Sequence, residues 1–139
     1  MKTEMSPAWK LFTDGAARGN PGPAGAGAVL CDAEGEVVEE LCEYLGETTN
    51  NVAEYRALLL GLNKAIALGA AEIEILADSE LMVRQLQGRY RVKNEGLRPL
   101  FQEAIRLLKE FRKYSIRHID REANSAADRM ANRAIDENF

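Results

Sequence analysis

The sequence predicts an α/β fold: a mixed five-stranded sheet, three antiparallel strands then two parallel, with helices on both faces. Three observations carry this. Three strand-like runs follow one another at the N-terminal end with short connections, the pattern of an antiparallel meander. Beyond residue 48, strand-like and helical runs alternate, and a strand that returns through a helix does so right-handed and parallel. The 139 residues, 46% hydrophobic and 29% charged, suit one soluble domain (1–139) able to close a core, with residues 1–7 a loose tail.

Residues 8–17, 25–31 and 36–45 are the first three strands. The third mixes Val37, Val38, Leu41 and Tyr44 with Glu39, Glu40 and Glu43, charge that suits a sheet edge kept from pairing with other chains. Thr49-Asn50-Asn51 opens a helix to about Leu68, where Val52, Tyr55, Leu58, Leu59, Leu62, Ala65 and Ile66 recur at helical spacing and Gly69 stops it. Residues 71–77 alternate as a fourth strand ending at Asp78-Ser79, which can cap a helix over 79–87. Residues 88–97 form a basic, aromatic loop. Pro99 suits the first turn of a helix that Leu100, Ile105, Leu107, Leu108 and Phe111 carry to Lys113. Residues 114–119 are the last strand, and Asn124 or Ser125 caps a final helix to about Glu137.

Several function classes are disfavoured. No apolar run approaches the ~20 residues of a membrane span. The first seven residues lack the apolar core of a secretion signal, so a cytoplasmic address is expected. Cys31 and Cys42 flank a hairpin turn near Glu34 but out of register with each other, so free thiols are expected. The net charge of −4 argues weakly against a polyanion partner, although a carboxylate cluster would pull the total negative while basic residues elsewhere grip phosphates.

The chemistry concentrates first in residues 12–25, Phe12-Thr13-Asp14-Gly15 running into Gly19-Asn20-Pro21-Gly22-Pro23. A carboxylate near a core strand is costly unless paired or bound to a metal. The glycines at 15, 19, 22 and 25 can let the backbone approach a ligand, although Gly-Asn-Pro-Gly is also ordinary turn chemistry. If the fourth strand lies parallel to the first, Asp14 and Asp78 fall side by side, at the kind of switch point where open α/β sheets bind ligands. Glu54, expected in the first turn of the long helix and close to a capping box with Asn51, and Asp128, in the first turn of the last helix, complete a set of four acids. Converging carboxylates repel, and divalent cations remove that conflict. With only one histidine and no zinc-type ligand spacing, oxygen donors point to Mg²⁺ or Mn²⁺.

Thr13-Asp14-Gly15 with Gly19-Asn20-Pro21-Gly22-Pro23, Thr48-Thr49-Asn50-Asn51-Val52-Ala53-Glu54, Ala77-Asp78-Ser79, and Arg121-Glu122-Ala123-Asn124-Ser125-Ala126-Ala127-Asp128 resemble, in order, the four motifs of the type 1 ribonuclease H family. The similarity runs from about residue 9 to 135. It is closest to the compact, archaeal-like branch, because the chain between Ser79 and Leu100 is too short for a long basic protrusion. The resemblance implies a ribonuclease H-like fold and hydrolysis of the RNA strand of an RNA–DNA hybrid to 5′-phosphate and 3′-hydroxyl ends. It implies two Mg²⁺ or Mn²⁺ ions held by Asp14, Glu54, Asp78 and Asp128, with Arg121 as an auxiliary positive charge. Ala17, Asn20, Asn50 and Asn51 match or adjoin minor-groove positions, where an amide can sense a 2′-hydroxyl. Thr49 matches a phosphate contact on the DNA strand. Ser79 of the third motif is a further substrate-binding candidate, and Arg89, Arg91, Lys93 and Arg98, with Tyr90 among them, are candidates for a reduced basic grip. The partner expected is an RNA–DNA hybrid, with duplex RNA a second candidate, and the unit is expected to be a monomer. Two positions depart from the better-known pattern: Glu80 stands where a groove-reading Gln is common, and Glu47 where a basic contact is sometimes found. His118 is read as structural. A binding module without chemistry and a DNA-directed nuclease of the same fold are the alternatives.

Overall fold

The computed structural model describes residues 8–138; the tail expected at residues 1–7 falls outside them. The elements are β1 (Trp9–Ala17), β2 (Gly22–Cys31), β3 (Val37–Thr48), α1 (Asn50–Ala67), β4 (Glu72–Ala77), α2 (Glu80–Leu86), α3 (Arg98–Leu108), β5 (Lys113–His118), a 3₁₀ turn (Arg121–Asn124) and α4 (Ser125–Glu137). The sheet order is β3-β2-β1-β4-β5. β1–β2 and β2–β3 are antiparallel, β1–β4 and β4–β5 parallel, as the two halves of the sequence predict. β3 is an edge, and the two thiols are free: Cys31 lies opposite Val37 and Cys42 opposite Gly27.

Three boundaries differ from expectation. β2 starts at Gly22 and β3 continues to Thr48, because the Gly22–Thr48 and Pro23–Glu47 pairs extend the ladder past the apolar runs. α3 ends at Leu108, well short of Lys113. The Arg112 N–H donates to the Ala71 carbonyl at 2.8 Å, which starts β5, and Phe111 is buried from the intervening turn.

Strand alternation sorts the side chains between two layers. Leu11 of β1, Ala28 and Leu30 of β2, and Ile73 and Ile75 of β4 face α1, α2 and α3, packing with Tyr55, Leu58, Leu62, Met82, Val83, Leu107 and Leu108. Each such large apolar side chain contributes about 1.5–3 kcal/mol on burial. The Tyr55 hydroxyl satisfies itself inside this layer by donating to Gln85 Oε1 at 2.6 Å, tying α1 to α2. On the opposite face, α4 covers β1, β2 and β3 through a smaller cluster of Val29, Cys31 and Met130 with Phe12 and Cys42 against it.

α4 sits close because glycine leaves room for it. A Cβ on Gly27 would lie 2.4 Å from the Ala127 carbonyl oxygen and the Ala131 nitrogen, and one on Gly25 would lie 2.3 Å from the Ala131 oxygen. These contacts set the height of α4, and therefore of Asp128, above β1.

Candidate active site

Parallel pairing of Thr13 with Ala77 places Asp14 of β1 beside Asp78, the residue that follows β4. Both follow the even-numbered alternation that points toward the α4 side of the sheet. Glu54 belongs to the other layer and reaches them through a notch. A Cβ on Gly15 would lie 2.2 Å from the Ala53 carbonyl carbon, so only glycine lets α1 approach this far, and the Gly15 N–H donates to Glu54 Oε1 at 3.2 Å. The expectation that Gly15, Gly22 and Gly25 admit a ligand is thereby corrected. Gly15 and Gly25 admit the protein's own helices, and a Cβ on Gly22 would lie 2.2 Å from the Arg18 carbonyl oxygen. Gly19, with φ +108°, holds the one backbone conformation in the β1–β2 loop that favours glycine.

Glu54 lies in the second turn of α1, not the first. Thr49 is the N-cap, accepting from the Val52 N–H at 3.2 Å, which leaves Glu54 outside any capping box and free for the cluster. Asp128 does lie in the first turn of α4, with Asn124 as N-cap. That turn is pinned to β1 by the buried Asn124, whose Nδ2 donates to the Thr13 carbonyl at 2.9 Å.

One carboxylate oxygen from each of Asp14, Glu54 and Asp78 falls within 4.8 Å of the other two. Asp128 stands outside that mutual set but within hydrogen-bonding reach of Asp14, which is thus the centre of the four. Burial, then the charge of Asp78 and the contact with Asp128, push the Asp14 carboxyl up to about 8, opposed by the positive charge of Arg121. Burial, with Asp14 and Asp78 beside it, holds Glu54 well above the usual carboxylate range despite its bond from Gly15. Two buried carboxyls whose charged forms are disfavoured by burial and by each other, with every donor atom an oxygen, form a set suited to a hard divalent cation.

Around this cluster the remaining predicted residues fall into three groups. In the first, Asn20 Oδ1 accepts from the Asn50 N–H at 3.0 Å, joining the β1–β2 loop to the start of α1, with Asn50 and Asn51 exposed beside it and Ala17 half-buried at the end of β1. In the second, Ser79 and Thr49 are helix N-caps; Ser79 Oγ accepts from the Met82 N–H at 3.2 Å. In the third, Tyr90, Arg91, Lys93 and Arg98 line one groove with Gln85, Phe101 and Gln102, while Arg89 stands outside that lining. The groove begins at Gln85 in the last turn of α2, about 10 Å of helix from Asp78. Glu80 is engaged by Arg84 at 2.9 Å, one turn along α2. His118 ends β5 opposite Ala77 and is exposed, and Arg121 lies in the 3₁₀ turn near enough to act on Asp14. Two residues outside the sequence motifs adjoin the cluster: Asn132 donates to Asp128, and Arg18 reaches it only through Asn132, to which it donates. Asn132 was findable from its spacing of four on a helix. Nothing local to Arg18 signals its contact.

A mixed sheet of this order, with acids of β1, α1 and the end of β4 clustered and that of α4 beside Asp14, is the ribonuclease H-like fold. Residues 12–134 match the family model described as reverse transcriptase-like. A ribonuclease HI of Halobacterium salinarum is 42% identical over 126 residues, covering 91% of this chain and 63% of that protein. The crystal structure of RNase H1 from the same archaeon superposes with a TM-score of 0.91 at 41% identity, covering 94% of this chain and 98% of that one. A ribonuclease H1 crystallised in complex with an RNA/DNA hybrid superposes at 0.88 with 44% identity, covering 94% and 98%. A bifunctional protein of Mycobacterium tuberculosis is 47% identical over 127 residues, which is 91% of this chain but 35% of that protein, so the chain spans about a third of its length. The chain belongs to the ribonuclease H family. No helix among the described residues is long and apolar enough to cross a membrane.

Proposed function

We propose that this chain is a monomeric, metal-dependent endoribonuclease that hydrolyses the RNA strand of RNA–DNA hybrids, leaving 5′-phosphate and 3′-hydroxyl ends. The observation that carries this reading is the carboxylate cluster centred on Asp14, set beside an amide-bearing loop. A related ribonuclease H1 is crystallised on an RNA/DNA hybrid, which supports the same substrate here.

In this reading Asp14, Glu54, Asp78 and Asp128 hold two Mg²⁺ or Mn²⁺ ions. Bound there, such ions lower the pKa of the attacking water and offset charge on the leaving 3′-oxygen. The chain itself supplies position and charge. Asp14, central to the four acids, would be a ligand to these ions in its ionised form. Arg121 adds positive charge near the scissile phosphate. The uncommitted Nδ2 of Asn20 and the exposed amide of Asn51 meet the 2′-hydroxyls of the RNA strand, a group able to donate and accept as the amide is. The backbone at Ala17 and the amide of Asn50 border the same groove of the duplex. The Thr49 hydroxyl, which accepts a bond as an N-cap, still has its hydrogen to offer a phosphate of the DNA strand. Ser79 holds the start of α2, and so the position of Asp78. Arg91, Lys93 and Arg98, with Arg89 nearby, contact phosphates one α2 length away, and Tyr90 offers a stacking face.

The test is cleavage of an end-labelled hybrid with Mg²⁺ or Mn²⁺, beside duplex RNA and duplex DNA. Hybrid cleavage that stops with excess chelator and in Asp14→Asn is expected. Binding without cleavage in either metal would make the chain a hybrid-binding module, and preferential cutting of duplex DNA would reassign the substrate.

A further inference from the structure

Asp14 and Glu54 are fixed by burial, but Asp128 is only half-buried and needs another constraint. The constraint is a run of polar contacts along the outer side of α4. Asn132, one helical turn on, donates from Nδ2 to Asp128 Oδ1 at 3.3 Å and to the Asp128 carbonyl at 3.0 Å. Asn132 Oδ1 accepts from Arg18 Nη2 at 3.2 Å, and Arg18 Nη1 lies 2.7 Å from Asp136 Oδ1, a further turn along. Arg18 begins the loop that carries Asn20, and its own N–H donates to the Pro23 carbonyl across that loop at 2.8 Å.

We propose that Asn132 is a positioning residue for the Asp128 carboxylate, and that Arg18 sets the orientation of Asn132, so that the β1–β2 loop and Asp128 are linked. This rests on the metal-dependent reading above. The argument is one of hydrogen-bond polarity. A guanidinium has no acceptor and an ionised carboxylate has no donor, so each neighbour selects a different end of the Asn132 amide. Only one of the two amide orientations satisfies both, and it aims Nδ2 at Asp128. A helical Asn bonding back to the carbonyl four residues earlier is ordinary, and alone would have no functional meaning. That back-bond does not account for Arg18, which reaches Asn132 from 114 positions away in sequence. Loss of a group that orients a ligating carboxylate in this way typically costs about 10–100-fold in metal affinity or activity.

The experiment measures Mn²⁺ binding to the protein by calorimetry, alongside kcat and KM for a hybrid and the thermal midpoint. Asn132→Leu keeps the side-chain size and removes all three of its side-chain hydrogen bonds; Arg18→Met removes the contacts to Asn132 and Asp136 and leaves the Asn132–Asp128 bonds in place. Asn132→Leu is expected to weaken Mn²⁺ binding and lower kcat by about tenfold each, with KM unchanged. Arg18→Met shifts both in the same direction by less, and the double variant is no worse than Asn132→Leu. A folded Asn132→Leu with wild-type Mn²⁺ affinity overturns the proposal. If that variant does not fold, Arg18→Met decides: weakened Mn²⁺ binding supports the link and wild-type binding overturns it. Strictly additive effects overturn the role given to Arg18. Because the Mn²⁺ titration is read without substrate, a wild-type protein that binds Mn²⁺ but cuts no hybrid would refute the enzyme reading and leave this inference standing.

Discussion

Replacing Asp14 by Asn should make the metal-free protein more stable while abolishing its activity. The Asp14 carboxyl, about 3.8 when unfolded and pushed up to about 8 by burial and its acidic neighbours, keeps its proton in the folded state over a range where the unfolded chain has lost it. Across that window the folded state binds more protons, so stability is present at low pH and is lost as pH rises. Each bound proton contributes a slope of about 1.4 kcal/mol per pH unit. The span from 3.8 to about 8 therefore amounts to on the order of 6 kcal/mol at most. Glu54, also raised, adds to the fall with the same sign. Asparagine mimics the neutral acid at every pH. Urea unfolding in excess chelator from pH 4 to pH 9 should show Asp14→Asn near wild type at the acid end and several kcal/mol more stable at the alkaline end. Adding Mn²⁺ should restore the alkaline stability of the wild type by mass action, and restore little in the variant. Metal-free wild-type stability that is flat or rising through this window, or an Asp14→Asn protein less stable at pH 9, would refute the reasoning.

Gly27→Ala places a Cβ 2.4 Å from the backbone of α4 and should cost about 3 kcal/mol or more by urea unfolding, with Mn²⁺ affinity falling as Asp128 is displaced. Tyr55→Phe leaves the buried Gln85 amide oxygen without its 2.6 Å donor and should cost about 1–3 kcal/mol in the same assay, with kcat on hybrid unchanged. Arg121→Ala removes the positive charge that lowers the Asp14 carboxyl, so the pH dependence of Mn²⁺ binding should move to higher pH; an unmoved profile would separate Arg121 from the cluster.

Much of the site was legible because sheet topology converts sequence order into proximity. Once the fourth strand was expected parallel to the first, Asp14 and Asp78 had to be neighbours, and the Thr13–Ala77 pair bears that out. The offset of Cys31 and Cys42 followed from the hairpin turn in the same way. What escaped depended on backbone contacts that the local residue pattern does not show. The end of α3 was misjudged because Phe111 continues the apolar pattern, while the Arg112 N–H has already gone to Ala71. Glu54 was set one turn early because Thr49, not Asn51, caps α1. The glycines at 15 and 25 looked like room for a ligand, since sequence cannot say that the occupant is another part of the same chain.

Where β2 passes under α4, hydrogen atoms are all that separate the strand from the helix at Gly25 and Gly27. The strand puts no side chain of its own at these points to cushion a shift, so movement of the helix axis is passed on to the carboxylate it carries. Attempts to harden this protein against heat should therefore leave that seam untouched and work on the outer edge of β3, where Val37 is 55% exposed.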